Sequence, residues 1–428
     1  MTSAARRTFV ASFLGWMLDA FDFLLLTFVI TRIATTFDKT VAEVAFALTL
    51  TLMCRPIGAL IFGWLGDRYG RRTPLMIDIG FYSIIQLATA FSPNFTVFLV
   101  LRALYGVAMG GEWGLGAALT MEMLPPHRRG LIGGMLQSGY MWGFLLAAGV
   151  YYFVFTFTHW DWRALFIIGA LPALLIFYIR TGVPESPVWL EGRAQRIAVA
   201  PNFLLKSILA HWPLFLYAIA FMAALNAMSH GTQDLYATFL QKQHGFSTGT
   251  TSLLPIVGAI GAIIGSIGFG TLSERFGRRI AVIFCSVAGA CVIPLWIFSS
   301  TIASLALGAF LIQLAVQGCW GVIPAHLNEL SPGEVRGTFP GFTYQLGNLL
   351  VAGVAQMEAI LATKIPLSNG APNYAAAMAI VTAGVFASVF VLALLGYLVR
   401  KETRGLSFAS SERSATAACH PERSATGA

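Results

Sequence analysis

The sequence predicts an all-α polytopic membrane protein with twelve transmembrane helices in two pseudo-symmetric six-helix bundles. The 428 residues are 57% hydrophobic and 11% charged, with a mean hydropathy of +0.73, whereas a soluble domain carries roughly 25% charged residues. The apolar residues gather into twelve runs, each long enough to cross about 30 Å of hydrocarbon as a helix. One polar loop pattern also occurs twice, 207 residues apart.

In order, the runs cover about 9–32, 43–65, 74–91, 94–117, 131–157, 163–181, 212–240, 251–272, 280–299, 302–325, 338–362 and 375–399. The first is too long for the core of a cleavable signal and lacks a small-residue cleavage site after it, so it is expected to stay as a span. The loops between runs account for the formal charge of +8 and the pI near 9.4. Arg6, Arg7, Arg68, Arg71, Arg72, Arg128, Arg129, Arg180 to Lys206, Arg275, Arg278, Arg279, Arg336 and Arg400 to Arg404 fall on one side, and Arg32, Lys39, Lys242 and Lys364 on the other. By the positive-inside rule, both termini and the 182–211 connection are expected in the cytoplasm, in a plasma (inner) membrane. The basic balance is thus topological and implies a lipid bilayer rather than nucleic acid. Four of the five cysteines, Cys54, Cys285, Cys291 and Cys319, fall in predicted spans and Cys419 in the tail, a pattern with no disulfide framework and no metal spacing.

The repeat sets the architecture. Gly63-Trp-Leu-Gly-Asp67-Arg68-Tyr-Gly70-Arg71-Arg72 returns as Gly270-Thr-Leu-Ser-Glu274-Arg275-Phe-Gly277-Arg278-Arg279. At the same offset of 207, Glu122-Met-Leu-Pro125 through Arg129 returns as Glu329-Leu-Ser-Pro332 through Arg336, and Leu18-Asp19-Ala20 aligns with Leu225-Asn226-Ala227. Three separated segments in one register argue for a duplicated six-helix unit. Expected domains are therefore a bundle at 1–181, a connecting loop at 182–211, a second bundle at 212–405 and a disordered tail at 406–428. In the loops, glycine permits close approach and tight turns, while Asp67 and Glu274 can hold arginines from a neighbouring helix end in charge-assisted hydrogen bonds. Such a clasp must break for that side to open.

The doubled loop resembles the signature of major facilitator superfamily transporters. So do Arg102 with Gly106 and Gly110, Pro184-Glu185-Ser186-Pro187 after the sixth span, and Glu402-Thr403-Arg404-Gly405 after the twelfth. The resemblance spans about residues 9–405 and implies the major facilitator fold, with a mid-membrane cavity between two rocking bundles.

A charge inside a span is costly enough to suggest function. Asp19, Asp22, Arg55, Arg102, Glu112 and Asp234 make up the set identified, and the offset carries Arg55, Arg102 and Glu112 to Ala262, Ala309 and Cys319. The first half therefore holds most of the charge, with the seventh span contributing for the second. A guanidinium suits a carboxylate in bidentate fashion, so Arg55 either holds an anionic substrate or pairs structurally. Arg102 either holds an anionic substrate or sits in a permanent ion pair with Glu112, Asp19 or Asp22, the pair being the expected role, and Asp22 is either a proton carrier or a salt-bridge partner. Gly110-Gly111-Glu112-Trp113-Gly114 resembles a segment of metabolite–proton symporters. The fifth span lacks the Gly-Pro pair of drug antiporters. Gln313, Gln317 and Trp320, then Tyr344, Gln345 and Asn348, recur at helical spacing and either line the cavity or join helices.

In the seventh span, Asn226, His230, Gln233 and Asp234 fall on one helical face, with Ser229 at its border. His230 and Asp234 are four apart, so their side chains can meet and hold a proton near neutral pH. Asn226-x-x-Ser229-His230-x-Thr232-Gln233-Asp234-x-x-x-Thr238 resembles the signature of Jen-type lactate/pyruvate–proton symporters. That resemblance implies a short monocarboxylate as substrate and a proton as co-substrate. By their side-chain chemistry and helical placement, Arg55, Asn226, Ser229, His230, Gln233, Gln317, Tyr344 and Gln345 are the candidate substrate contacts. Asp22, Glu112, His230 and Asp234 are the candidate proton-coupling groups. Gly63, Asp67, Arg68, Arg71, Arg72, Arg102, Glu122, Arg129, Gly270, Glu274, Arg275, Arg278, Glu329 and Arg336 are the candidate gating or structural group. A monomer without cofactor is expected to suffice. A sialate or other organic-acid symporter is the second transporter reading. A non-transporting sensor would need a larger signalling extension, and an enzyme a nucleophile–base pair that the spans do not supply. Residues from Ser407 on are polar and repeat Glu-Arg-Ser-Ala-Thr at 412 and 422, which predicts disorder with nothing to bury.

Overall fold

The computed structural model describes residues 1–197, 203–399 and Phe408. The Arg400–Arg404 cluster, the Glu402 motif and the remaining tail residues lie outside them. The spans are α1 Ser3–Phe37, α2 Val41–Tyr69, α3 Arg72–Ala90, α4 Phe95–Glu122, α5 Arg129–Phe157 and α6 Arg163–Gly182, then α7 Trp212–Lys242, α8 Thr248–Phe276, α9 Arg278–Ile297, α10 Ile302–Leu330, α11 Phe339–Lys364 and α12 Tyr374–Val399. Eleven of these segments are long and apolar enough to cross a bilayer. The other, α3, is only 19 residues long and buries the polar Asp78, Ser83, Gln86 and Thr89 against its neighbours. The 182–211 connection contains two short helices, Pro187–Ile197 and Phe203–Ala210.

The duplicated register extends to helix starts. Thr40 caps α2 in a capping box with Glu43, and its counterpart Ser247 caps α8. Asn94 caps α4, and its counterpart Thr301 caps α10. Each supplies an oxygen to an otherwise unsatisfied first-turn N–H. At the other end of the molecule, Gly70 and Gly277 have φ of +101° and +100°. A left-handed backbone there reverses the chain between α2 and α3 and between α8 and α9, which favours glycine at both turns.

Within each half, α2 packs along α4 and α8 along α10, while α5 crosses to the second half against α8 and α10, and α11 crosses back against α2 and α4. The α2–α4 seam is tight enough that a Cβ on Gly58 would lie 1.7 Å from the Val107 carbonyl oxygen. Small residues of this kind let membrane helices approach closely enough for dispersion to hold them together.

Three spans expected to be continuous are interrupted. In α6 the helix stops at Ile168 and resumes at Leu175 across a 3₁₀ turn, Leu171–Leu174, that contains Pro172; proline removes a backbone donor and clashes with the preceding turn. In α7 the helix stops at Gln233 and resumes at Tyr236, and α11 breaks between Leu350 and Val354 around Gly353. Irregular backbone at membrane depth is tolerated where protein or a cavity surrounds it. The tail also departs from expectation at one residue. Phe408 is buried, packed with Ala5, Met121, Leu124, Ile132, Val188 and Ala325, because an apolar ring gains from leaving water even at the end of a polar stretch.

Gly58→Ala tests the packing directly. The added methyl is expected to cost about 1–3 kcal/mol through overpacking, read as a lower melting temperature of purified protein. Gly149→Ala, where a Cβ meets nothing within 4 Å, is expected to melt as the unsubstituted protein does.

Candidate functional site

A cavity of about 570 Å³ lies between the two halves. Its wall runs from Trp16 to Thr27 on α1, from Arg55 back to Leu48 on α2, and from Asn226 to Tyr236 on α7. It therefore extends from the middle of the molecule toward the end away from the arginine loops. Its base is a plate of rings from both halves. Trp113 lies 4.9 Å and Trp320 5.3 Å from Tyr344 between ring centroids, and Trp16 lies 5.6 Å from Tyr140 and 6.4 Å from Trp113. Edge and tilted contacts of this sort pack efficiently and hold the plate closed.

The α7 stripe faces this space, and two of its members also bind α7 to α10. His230 Nδ1 lies 3.0 Å from Asp234 Oδ2, and its Nε2 lies 3.0 Å from Asn348 Oδ1 on α11. Two acceptor oxygens thus face two ring nitrogens, which suits a ring carrying hydrogen on both; turning the Asn348 amide over suits the neutral ring. The His230 and Asp234 side chains are 27% and 40% exposed toward the cavity, so both can meet a ligand. Ser229 Oγ accepts from Trp320 Nε1 at 2.7 Å, Gln233 Nε2 donates to Gln313 Oε1 at 3.0 Å, and Asn226 Nδ2 donates to the Met222 carbonyl at 2.8 Å. Gln317 and Tyr344 line the cavity as well. Gln345 does not: its amide is buried without a hydrogen-bond partner and lies off the wall.

Opposite α7 stands Arg55, which is 4% exposed yet lines the cavity. Its Nη2 lies 3.5 Å from Asp19 Oδ2, and its Nε has no hydrogen-bond partner. The fork is therefore held loosely, by one ion pair. Asp19, Asp22 and Glu112 are fully buried behind the wall, and none of their carboxylate oxygens accepts a hydrogen bond.

Arg102 is not ion-paired as the sequence suggested. Its Nη2 donates to Gln86 Oε1 at 2.7 Å and Thr89 Oγ1 at 3.0 Å, and its guanidinium sits over Tyr105 and Phe166. Neutral acceptors on α3 and two ring faces satisfy it without a carboxylate. Asp78 on α3 and Glu358 on α11 are two further buried carboxyl groups without hydrogen bonds. Sequence reasoning missed both, although each is a charge inside a predicted span. Gln137 and Tyr140 on α5, which also line the cavity, carry no comparable signal, since polar and aromatic residues are common on packed helix faces.

At the arginine-loop end the halves are joined by contacts related by the 207-residue offset. Asp67 accepts from the N–H of Gly337 at 2.6 Å and from the N–H and hydroxyl of Thr338 at 3.0 and 2.7 Å. Its counterpart Glu274 accepts from the N–H of Gly130. Arg71 bridges Asp67 and Glu122 at 3.2 and 3.0 Å, and Arg278 bridges Glu274 and Glu329 at 3.4 and 3.0 Å. Across the halves, Arg336 approaches Glu122 at 3.7 Å and Arg129 approaches Glu329 at 3.8 Å. Gly63 and Gly270 let the halves meet, since a Cβ on either would lie 2.6 Å from the opposite backbone. Arg71 and Arg278 come from the acids' own loops, while backbone N–H groups, and for Asp67 the Thr338 hydroxyl, reach across from the opposite half. Arg68 lies near Trp64 and Tyr69, Arg72 donates to the Arg180 carbonyl, and Arg275 is exposed. The Phe408 ring lies 3.5 Å from the guanidinium of Arg129 and 4.1 Å from that of Arg336, so it covers both cross-half arginines. Glu185 fastens the loop from the connection, accepting from the N–H groups of Arg71 and Arg72 at 2.9 and 3.1 Å.

The Major Facilitator Superfamily profile matches residues 11–356. A carboxylic acid transporter protein homolog of Saccharomyces cerevisiae is 31% identical over 418 residues, covering 91% of this chain and 67% of that protein. The sialic acid transporter NanX of Escherichia coli is 26% identical over 407 residues, covering 94% of this chain and 96% of its own. Among solved structures, the proton:xylose symporter XylE bound to 6-bromo-6-deoxy-D-glucose superposes with a TM-score of 0.76 at 19% identity, covering 96% of this chain and 99% of that one. That last likeness is one of fold.

The clasp has a measurable consequence. Ala325 is fully buried beneath it. In a chain whose native cysteines are replaced by serine, Ala325→Cys is expected to react slowly with a polar maleimide. Adding Asp67→Ala and Glu274→Ala removes acceptors worth about 1–3 kcal/mol for each donor left unpaired and is expected to speed the reaction at least about tenfold.

Proposed function

The chain belongs to the Major Facilitator Superfamily, and from that premise we propose that it is a proton-coupled symporter of short-chain monocarboxylates, with lactate and pyruvate as its substrates. The observation that carries this reading is the pairing of Arg55, loosely held by Asp19, with the His230–Asp234 pair on the opposite wall of one cavity. A guanidinium with free donors fits a carboxylate, and an imidazole–carboxylate pair fits a proton. The α7 pattern from Asn226 to Thr238, similar to that of Jen-type symporters, supports the same substrate class. The carboxylic acid transporter homolog points the same way.

In this reading the substrate carboxylate displaces Asp19 at Arg55. Neutral donors of Asn226, Ser229 and Gln233 hold its remaining oxygens, with Gln317 and Tyr344 beside them. A proton taken by His230 and Asp234, or by Asp22 or Glu112 behind Arg55, compensates the substrate's charge. Asp19, released from Arg55, is then the group whose charge must be balanced. The loaded and empty carriers can close the far end and release the clasp, while a half-loaded carrier would bury an uncompensated charge and is held back by that cost. The clasp end, rich in arginine, is the cytoplasmic one by the positive-inside rule, with both termini on that side of a plasma (inner) membrane. Each cavity wall comes from one chain, so a monomer suffices for transport.

A second reading, a symporter of sialic acid or another larger organic acid, is favoured by the cavity itself. About 570 Å³ exceeds what a three-carbon acid occupies, and Gln137, Gln233, Gln313 and Gln317 offer amides to a polyhydroxylated ligand.

Uptake of labelled lactate and pyruvate into proteoliposomes with an imposed inward proton gradient separates the two. Gradient-stimulated uptake, poorly inhibited by excess sialic acid, is expected; stimulated uptake of sialic acid but of neither monocarboxylate would replace the first reading by the second. Arg55→Lys keeps the charge but loses the fork. It is expected to cost about 1.5–3 kcal/mol of substrate binding, roughly a tenfold to hundredfold rise in KM. His230→Ala is expected to abolish gradient-driven accumulation.

A further inference from the structure

Glu358 stands on the second segment of α11, Val354–Lys364. It is fully buried, and neither carboxylate oxygen has a hydrogen-bond partner. It is not part of the cavity wall. Among the described residues it forms no ion pair within 4.0 Å. A buried carboxylate left ionised and unpaired costs several kcal/mol in a protein interior, so a group in this position has to be explained.

Its surroundings supply the explanation. The helices packed against this segment are α7 and α12. The α12 segment carries no charged side chain, and Val354 and Val381 form an apolar wall with Ala227. On the α7 side the carboxyl lies against Gly231, where a Cβ would stand 3.3 Å from Oε1. A glycine here makes room for the acid directly beside His230, and Thr382 fastens the same turn by donating to the Gly231 carbonyl at 3.2 Å. His230 and Asp234 are the charged groups that face Glu358; Lys364, on its own segment, lies at the helix end. The His230–Asp234 pair thus stands between an open cavity on one side and a dry carboxyl group on the other.

We propose that Glu358 is a second proton-binding site of the carrier, holding a proton behind the His230–Asp234 pair in the clasped state and exchanging it when α7 and α11 move apart. The site takes a proton and no other ligand, since it is enclosed and offers a single acidic group. The segment that carries Glu358 follows the break at Val351–Gly353 in α11, and the α7 turn beside it, His230 and Gly231, immediately precedes the break at Asp234, so each side can shift without unwinding the rest of its span. Loss of the proton leaves a negative charge that attracts an imidazolium at His230 and repels Asp234, which links the state of the inner site to the pair that meets substrate. This rests on the proton-coupled reading, and the test separates the two.

The decisive comparison is the purified native chain against Glu358→Gln, a neutral mimic of the protonated acid, and Glu358→Asp. Infrared spectroscopy in light and heavy water reads the C=O stretch of protonated carboxyl groups. A deuterium-sensitive band present in the native chain, lost in Glu358→Gln and retained in Glu358→Asp is expected. An identical band in native protein and Glu358→Gln would overturn the proposal whatever the transport result. In proteoliposomes, Glu358→Gln is expected to keep substrate exchange at zero gradient while accumulation driven by the proton gradient falls at least about tenfold, with Glu358→Asp restoring it. Native-like accumulation by Glu358→Gln would also overturn the proposal. A native chain that shows the band but no gradient-driven transport would defeat the coupling reading alone and leave the proton site in place.

Discussion

Asp67 and Glu274 each place a carboxylate against the backbone of the opposite half, and the arrangement of the other parts depends on those two crossings. A carboxylate in so dry a place is tolerable only if its lone pairs are filled. Asp67 fills its own with two backbone N–H groups and the Thr338 hydroxyl, besides Arg71 from its own loop. The crossings bring the starts of α5 and α11 onto the ends of α8 and α2, which seats the aromatic plate of Trp16, Trp113, Tyr140, Trp320 and Tyr344 above them. The cavity then has a closed base at the arginine end and a wall drawn from both halves. The acids and arginines of the clasp recur at the offset of 207 residues, so the closure is a property of the duplicated unit, used twice in opposite senses.

Charge is distributed unequally across this symmetric frame. The first half buries Asp19, Asp22, Asp78 and Glu112 with Arg55 and Arg102, while the second half offers His230 and Asp234 to the cavity and keeps Glu358 behind them. Arg55 stands at the wall, whereas Arg102 is turned into α3 by Gln86, Thr89 and the face of Tyr105. The result is a cavity with a cationic fork on one side and a titratable pair on the other, separated by amides and rings. Transport chemistry in such a site consists of changing partners rather than making bonds.

Much of this was legible in the residues themselves. Twelve apolar runs and a repeated loop define the fold, and the acids of that loop, Asp67 and Glu274, hold arginines as the residue types suggest, Arg71 and Arg278. The four-residue spacing of His230 and Asp234 likewise foretells their contact, since helix geometry puts such residues one turn apart. What was not legible depends on contacts between distant segments. The break after Gln233 follows no proline or glycine at that position, and the partner of Arg102 is an amide on α3 that no spacing rule selects. Phe408 is buried in an apolar cluster and also meets two arginines from opposite halves, in a stretch that composition alone describes as a polar tail. Asp78 and Glu358 were within reach of the rule that flags charges in spans, and their roles become visible only once their lack of partners is seen.

In the proposed cycle one cavity, closed at the arginine end by a two-fold clasp, opens to that end in the empty and the fully loaded carrier. His127 and Glu334 are exposed counterparts in the two halves, each beside a clasp arginine. Spin labels on His127→Cys and Glu334→Cys, in a chain whose five native cysteines are replaced, report their separation by pulsed dipolar spectroscopy. A short distance that dominates in the absence of substrate at alkaline pH, with a distinctly longer population that grows on adding lactate at acidic pH, is the result this account predicts. One unchanged distance distribution under both conditions would contradict it.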